Sequence, residues 1–363
     1  DGRTTPRGEP AAAAAPRPQL GSAPRPVQDA DIPLGQPHLP VILEETYAHS
    51  GALAIAERQQ AAEPLTGRGL ARGVHVVVLV HGFQGNSWDM MLLKSYLTLH
   101  FPGSLYLCST ANEDNSEADI EEMGARLARE VVAFLRQRCP RTPAPDSPGM
   151  PAAATAEGPR GRDSARGLCL GRLSFVCHSV GGLIARAALP LLSHTYGPRF
   201  WTFASLSSPH LGYLYGPTAA FKTGLWVARK LWRSRCLEQL SMTDAPCPQD
   251  CFLARLARLP GLELFQHVAL IGSLQDEYAP FRSARLEMTS AARRDSRFGP
   301  VYAEMVQGLL ERLEPERLLR LSVSFSLTES SLDTAIGRAA HVQFLESRAL
   351  MSMLMHMYPH LFE

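Results

Sequence analysis

The sequence predicts an α/β protein built on a doubly wound, mostly parallel sheet that carries a helical cap insertion. Three observations lead there. Val74–Val80 is a run dense in β-branched residues and apolar except for His75, as expected of a central strand buried on both faces. Downstream, strand-length apolar runs alternate with helix-length amphipathic segments, which is how a parallel sheet with crossover helices reads. Residues 211–259 then interrupt the alternation with a stretch rich in Trp, Leu, Arg and Phe and without a core strand.

Taken in order, residues 1–40 hold nine prolines and a run of five alanines. Such a segment buries too little apolar surface to offset its ordering entropy, so it reads as a disordered tail or linker, with the folded domain occupying 41–363. Leu43, Tyr47, Leu53 and Ile55 offer a weak helical stripe. After the Val74–Val80 strand come a loop and an apolar helix near Trp88–His100, then a short strand at Ser104–Ser109. Ser116–Arg138 is a strongly amphipathic helix, with Ile120, Met123, Leu127, Val131, Phe134 and Leu135 on one face. Residues 140–167 hold six prolines and read as a low-complexity insertion at the sheet margin. Leu168–Cys177 is the next strand, Val180–Leu192 a buried helix ended at or just after Pro190, and Phe200–Leu206 another strand. Glu263–Ile271 and Leu318–Phe325 complete the set.

Composition narrows the function classes. The 363 residues are 45% apolar and 20% charged, with a net charge of +1, so nothing draws the chain toward nucleic acid as a whole. Arg141, Arg160, Arg162 and Arg166 lack the interleaved aromatics of a single-strand binder. No Gly-rich loop with a lysine follows a strand, which argues against phosphate handling. No apolar run approaches the roughly 20 residues of a membrane-spanning helix. The seven cysteines are odd in number and mostly set in apolar surroundings, which favours free thiols in a reducing, cytoplasmic compartment. Cys247 and Cys251 form the one close pair, and without a second pair they are weak evidence for a zinc site. The sequence starts at Asp1, so a longer precursor with a leader stays open.

The decisive string is Phe175-Val176-Cys177-His178-Ser179-Val180-Gly181-Gly182. A buried strand runs straight into a serine, and an apolar helix follows at once. That is the pattern of a nucleophile elbow, in which a strained strand-to-helix turn lifts the serine clear of the sheet. The residues two before and two after must be small. Gly181 meets this fully and Cys177 approximately. The elbow, set in this alternation, makes the expected architecture an α/β-hydrolase fold. The oxyanion donors would be the backbone N–H groups of Val180 and of Phe83, the latter in the His81-Gly82-Phe83 loop leaving the earlier strand. The fold orders its later members as acid, then histidine. Asp276, close behind the strand ending at Ile271, is the expected acid, with Glu277 in reserve. His341 is the expected base among His341, His356 and His360, on a loop after the last strand. His178 is expected to pack and hydrogen-bond at the elbow from the opposite face, and His81 to brace its loop.

These residues carry a family resemblance. HGFQGNSWDM (81–90), STANEDNSEADIEEMG (109–124), LSFVCHSVGGLIARAAL (173–189), LSSPHLG (206–212), GSLQDEYAPFRSARLEM (272–288) and IGRAAHVQFL (336–345) together resemble the lipase-like serine-esterase domain at the C-terminus of a large eukaryotic family. The likeness spans roughly residues 70–363. It implies a cofactor-free hydrolase of carboxylic esters, often lipids, with Ser179, Asp276 and His341 as triad and Phe83 with Val180 as oxyanion pair. Cys177, where the usual elbow has glycine, departs from it.

Two function classes stay open: an active carboxylic-ester hydrolase acting on lipid or acyl esters, and an inactive scaffold of the same fold that serves as an interaction module. Within the cap, Phe221, Leu225, Ala228 and Trp232 share one helical side, with Trp226 broadening it, and Lys222, Arg229, Lys230 and Arg233 gather opposite. One expectation makes Trp226 and Trp232 walls of an acyl pocket, with weak peripheral membrane contact through the basic rim. The other makes them permanent core.

Overall fold

A computed structural model of the chain describes residues 41–45, 73–142, 167–216, 234–326 and 333–363. Seven strands form one sheet: β1 (Val41–Glu45), β2 (Val74–Val80), β3 (Leu105–Cys108), β4 (Leu170–His178), β5 (Phe200–Leu206), β6 (His267–Gly272) and β7 (Leu318–Phe325). Their order is β1-β7-β6-β5-β4-β2-β3, parallel throughout except for β1, which runs antiparallel to β7 at the edge. Around it lie α1 (Met91–His100), α2 (Ile120–Arg138), α3 (Gly181–Tyr196), α4 (Arg235–Leu240), α5 (Phe252–Arg258), α6 (Gly299–Leu310), α7 (Asp333–Glu346) and α8 (Arg348–Met357). This is the α/β-hydrolase fold.

Alternation along β2 makes the two-sided core. Val76, Val78 and Val80 point into a cluster with α2 and α3, while Val77 and Leu79 point into a second cluster with α1 and α8. Asp119 caps α2 by accepting from the Glu121 N–H, which moves the helix start to Ile120 rather than Ser116. Its buried stripe, Ile120, Met123, Leu127, Val131 and Leu135, is the one the spacing defined, except that Phe134 is only partly buried.

Three further expectations about the elements need correction. Residues 41–45 form an edge strand rather than a helical stripe, with Val41 paired to Phe325 and Ile42 turned to solvent at 47% exposure. The other stripe residues, Tyr47, Leu53 and Ile55, lie outside the described residues. Helix α3 runs through Pro190 to Tyr196, because Leu183, Ile184, Leu189 and Leu192 bury one continuous face that outweighs the missing N–H. The strand expected from Glu263 starts at His267, since Leu262–Leu264 closes a turn in which the Phe265 N–H donates to the Leu262 carbonyl.

The chain leaves β2 toward β3 at one edge and returns to β4 on the other side. The carboxyl ends of β2 and β4 therefore border the topological switch point, where open α/β sheets form their clefts.

Candidate active site

Strand β4 ends at His178, and Ser179 takes the left-handed conformation with φ of 54°. A non-glycine residue there is strained, and its frame is well fixed. The Ser179 N–H donates to the Leu206 carbonyl at 2.9 Å, while the Ser179 carbonyl accepts from Gly182 at 3.1 Å. Gly181 is required by close approach: a Cβ there would lie 2.5 Å from the Val80 carbonyl oxygen and 2.6 Å from that of His81. The start of α3 is thereby pressed onto the end of β2.

Gly82 makes the second close approach. A Cβ on it would stand 2.8 Å from Ser179 Cβ and 3.3 Å from Ser179 Oγ, so the β2 loop runs past the serine face to face. His81 is buried, and its Nδ1–H donates to the Gly82 carbonyl at 3.0 Å, the bracing role expected of it. Gln84, with φ of 51°, donates its N–H to Ser116 Oγ at 2.8 Å. Between them Phe83 packs against the main core. The N–H groups of Phe83 and Val180 find no acceptor among the described residues.

Asp276 sits in the loop after β6, 2% exposed. Its Oδ1 accepts from the backbone N–H of Tyr278 at 2.7 Å and of Ala279 at 3.1 Å. Its Oδ2 accepts from the Ser207 hydroxyl and from His341 Nδ1–H, the latter at 2.6 Å. Each carboxylate oxygen thus holds a pair of donors, which fills the lone-pair positions. A reciprocal pair ties this loop to the end of β7: Gln275 Nε2 donates to the Phe325 carbonyl at 2.9 Å, and the Phe325 N–H returns to Gln275 Oε1 at 2.7 Å. Glu277, the reserve acid, is half-buried and has no hydrogen bond to His341.

His341 lies on α7 and not on a loop, a correction to the sequence reading. Ala340 and Phe344 anchor the helix in the second core cluster, which leaves His341 at the rim with its side chain 13% exposed. The His178 ring packs against it at 4.6 Å between centroids, and His178 Nε2–H donates to the His341 carbonyl at 3.1 Å. Burial holds His178 well below the ordinary histidine range, the charge of His341 adds to this, and the bond to the His341 carbonyl opposes it. The ring of Tyr278 stacks on His341 from elsewhere, at 5.5 Å. The Ser179 hydroxyl itself makes no hydrogen bond among the described residues.

Ser179, Gly82, Phe83, Val180, Asp276 and His341 are therefore gathered around the carboxyl ends of β2, β4 and β6. Sequence reasoning missed Ser207, and it missed that His178 grips the helix bearing His341. The signal for Ser207 was its place directly after a strand at the sheet's carboxyl edge. Trp226 and Trp232 lie outside the described residues. The described end of the 211–259 excursion is packed in: Cys236, Leu237, Leu240, Phe252 and Leu253 belong to the main core. Burial pushes the Cys177 thiol, at the elbow's small position, far above its ordinary range. Among the described residues no group of three or more His, Cys, Asp or Glu side chains is placed to hold a metal ion, and no helix is long and apolar enough to cross a membrane.

The model of the family described as "Putative serine esterase (DUF676)" matches residues 71–291, more than half the chain. The chain belongs to this family. Solved structures similar to this serine-esterase family member include carboxyl esterase 2 from the mycorrhizal fungus Tuber melanosporum, at 11% identity and TM-score 0.42 over 80% of this chain and 78% of that one. The lin2722 gene product of Listeria innocua is 10% identical with TM-score 0.41, over 78% of this chain and 92% of its own. Aspergillus fumigatus lipase B is 13% identical with TM-score 0.38, over 79% and 65% respectively.

Proposed function

We propose that the chain is a carboxylic-ester hydrolase working through an acyl-enzyme on Ser179. The observation that carries this reading is the Asp276–His341 hydrogen bond of 2.6 Å, made by a histidine packed against the residue that precedes Ser179. With Nδ1–H engaged by Asp276, His341 keeps Nε2 as a free acceptor. It takes the Ser179 proton as Oγ attacks the ester carbonyl. The resulting oxyanion is received by the N–H groups of Phe83 and Val180, whose freedom supports this role. Collapse expels the alcohol, which leaves with the proton from His341. Water, deprotonated by His341, then releases the acid and regenerates Ser179.

The substrates are acyl esters, with chains longer than acetyl preferred. Support comes from Phe83 and Tyr213, which pack against the core on loops leaving β2 and β5, and from the apolar side of residues 221–232, where Trp226 and Trp232 would line the acyl pocket. Weak peripheral membrane contact has its support in Trp88 and Leu274, 78% and 77% exposed, in the short 3-10 turn Ser87–Met90 after β2 and in the loop after β6.

One observation favours the second reading, a fold retained without turnover: the Ser179 hydroxyl is not hydrogen-bonded to His341. Such bonds often tighten only with substrate bound. Hydrolysis of p-nitrophenyl acetate and octanoate by the wild type and Ser179→Ala separates the readings. The hydrolase gives a burst of nitrophenol and faster octanoate turnover, both lost in Ser179→Ala. A well-folded wild type without turnover is the scaffold, and turnover that survives the substitution removes Ser179 from the mechanism.

A further inference from the structure

We infer that Ser207 is a positioning residue, the link that fixes the acid–base pair to the nucleophile's own frame. This rests on the hydrolase reading above. Ser207 is fully buried at the end of β5 and holds φ of 51°, a conformation that glycine adopts without strain and serine does not. Its N–H is already satisfied, donating to the Ile271 carbonyl at 2.7 Å. The hydroxyl is therefore not needed as a partner within the turn. The hydroxyl goes instead to Asp276 Oδ2, the same oxygen that holds His341 Nδ1.

The other two donors to Asp276, the N–H groups of Tyr278 and Ala279, come from its own loop and can only hold the carboxylate relative to that loop. Ser207 differs. It follows Leu206, whose carbonyl receives the Ser179 N–H. One bond thus runs from the elbow to Leu206, and the next residue's side chain runs from there to the carboxylate. The strained backbone aims that hydroxyl, and the position of Oδ2 in turn sets the plane and the reach of the imidazole. His178, gripping the His341 carbonyl, fixes the helix, and Ser207 fixes the ring through the acid.

Glycine is the informative replacement. Ser207→Gly removes the hydroxyl while relieving the backbone, so a purely structural serine would be replaced without loss. Melting temperature, kcat and KM for an acyl ester are measured for the wild type, Ser207→Gly and Ser207→Ala. The low-field proton resonance of the His341–Asp276 hydrogen bond is recorded for each. The positioning role expects Ser207→Gly to stay folded, the relieved backbone offsetting part of the lost hydroxyl bond, with kcat down about 10- to 100-fold and KM nearly unchanged, as for loss of a hydrogen bond to a charged group. It also expects the low-field resonance to shift or vanish. A Ser207→Gly enzyme with kcat within about threefold of wild type and an unmoved resonance overturns the inference while leaving the hydrolase reading intact. If the folded wild type turns over no ester, the hydrolase reading fails, and the resonance alone decides whether Ser207 orients the pair. Should Ser207→Gly not fold, Ser207→Ala is judged by the same readouts.

Discussion

Replacing Asp276 with asparagine should abolish turnover and leave the fold almost untouched, and the surrounding hydrogen bonds say why. The Oδ1 position faces two backbone donors, Tyr278 N–H and Ala279 N–H, which cannot reverse, so the amide oxygen must sit there. The amide nitrogen is then forced to the Oδ2 position, facing Ser207 Oγ and His341 Nδ1. Both partners can adapt: the hydroxyl rotates to accept, and the imidazole moves its proton from Nδ1 to Nε2. Every bond is remade, so the stability loss should be about 1 kcal/mol. The histidine, however, now presents Nε2–H toward Ser179 and cannot take its proton. The same substitution in serine-protease triads lowers kcat about 10⁴-fold, roughly 5 kcal/mol in activation free energy, through this wrong tautomer. The assay is kcat for an acyl ester beside a denaturant melt, with Glu277→Gln as a control expected to keep wild-type activity. A folded Asp276→Asn that keeps kcat within about tenfold of the wild type would refute the tautomer argument.

Other outcomes follow from neighbouring contacts. Gly181→Ala should destabilise the domain by about 1–3 kcal/mol or more, because its Cβ would meet the Val80 and His81 carbonyl oxygens at 2.5 and 2.6 Å; an unchanged denaturation midpoint contradicts this. Acid should weaken the fold: burial holds His75 and His267 at about 4, and His178 and His210 also well below the ordinary histidine value. Because the unfolded chain binds protons near pH 6.5 and the folded one does not, this stability is complete above about 6.5 and is lost as pH falls toward 4, about 2 kcal/mol from His75 alone between pH 7 and 5. A urea midpoint as high at pH 5 as at pH 7 would be inconsistent with that. Iodoacetamide should modify exposed Cys247 first and leave Cys177 and Cys236, buried with thiols pushed above their ordinary range, untouched until denaturant is added; peptide mapping reads the order.

What could be read from the sequence was local. Val74–Val80, Phe200–Leu206 and Leu318–Phe325 match their strands to the residue, because largely apolar runs, β-branched throughout most of the first, are bounded by polar or turn-forming neighbours. The elbow was legible because strand, serine and glycines are contiguous. The place of Asp276, in the loop just behind β6, was legible from its distance to that strand. What escaped depends on partners far along the chain. Val41–Glu45 is a strand only because β7 offers it an edge, and nothing in five residues announces a partner at 321–325. Pro190 signals a helix end by itself, yet the buried face of α3 carries the helix past it. The residue type at 341 was readable, but its helical setting rests on Ala340 and Phe344 finding the second core cluster. Ser207 was hidden for the same reason, since its meaning is the hydroxyl's contact with Asp276 across the sheet edge.

The central claim is that Ser179 is the nucleophile, and a fluorophosphonate tests it most directly. The reagent phosphonylates only a serine activated by its neighbours, and mass spectrometry of the treated protein gives both the number of adducts and, after digestion, their position. With Ser179 as nucleophile, one adduct forms, on Ser179, absent from Ser179→Ala and slowed in Asp276→Asn. An adduct on a different residue, equal labelling of Ser179→Ala, or a folded wild type that takes up no reagent would contradict it.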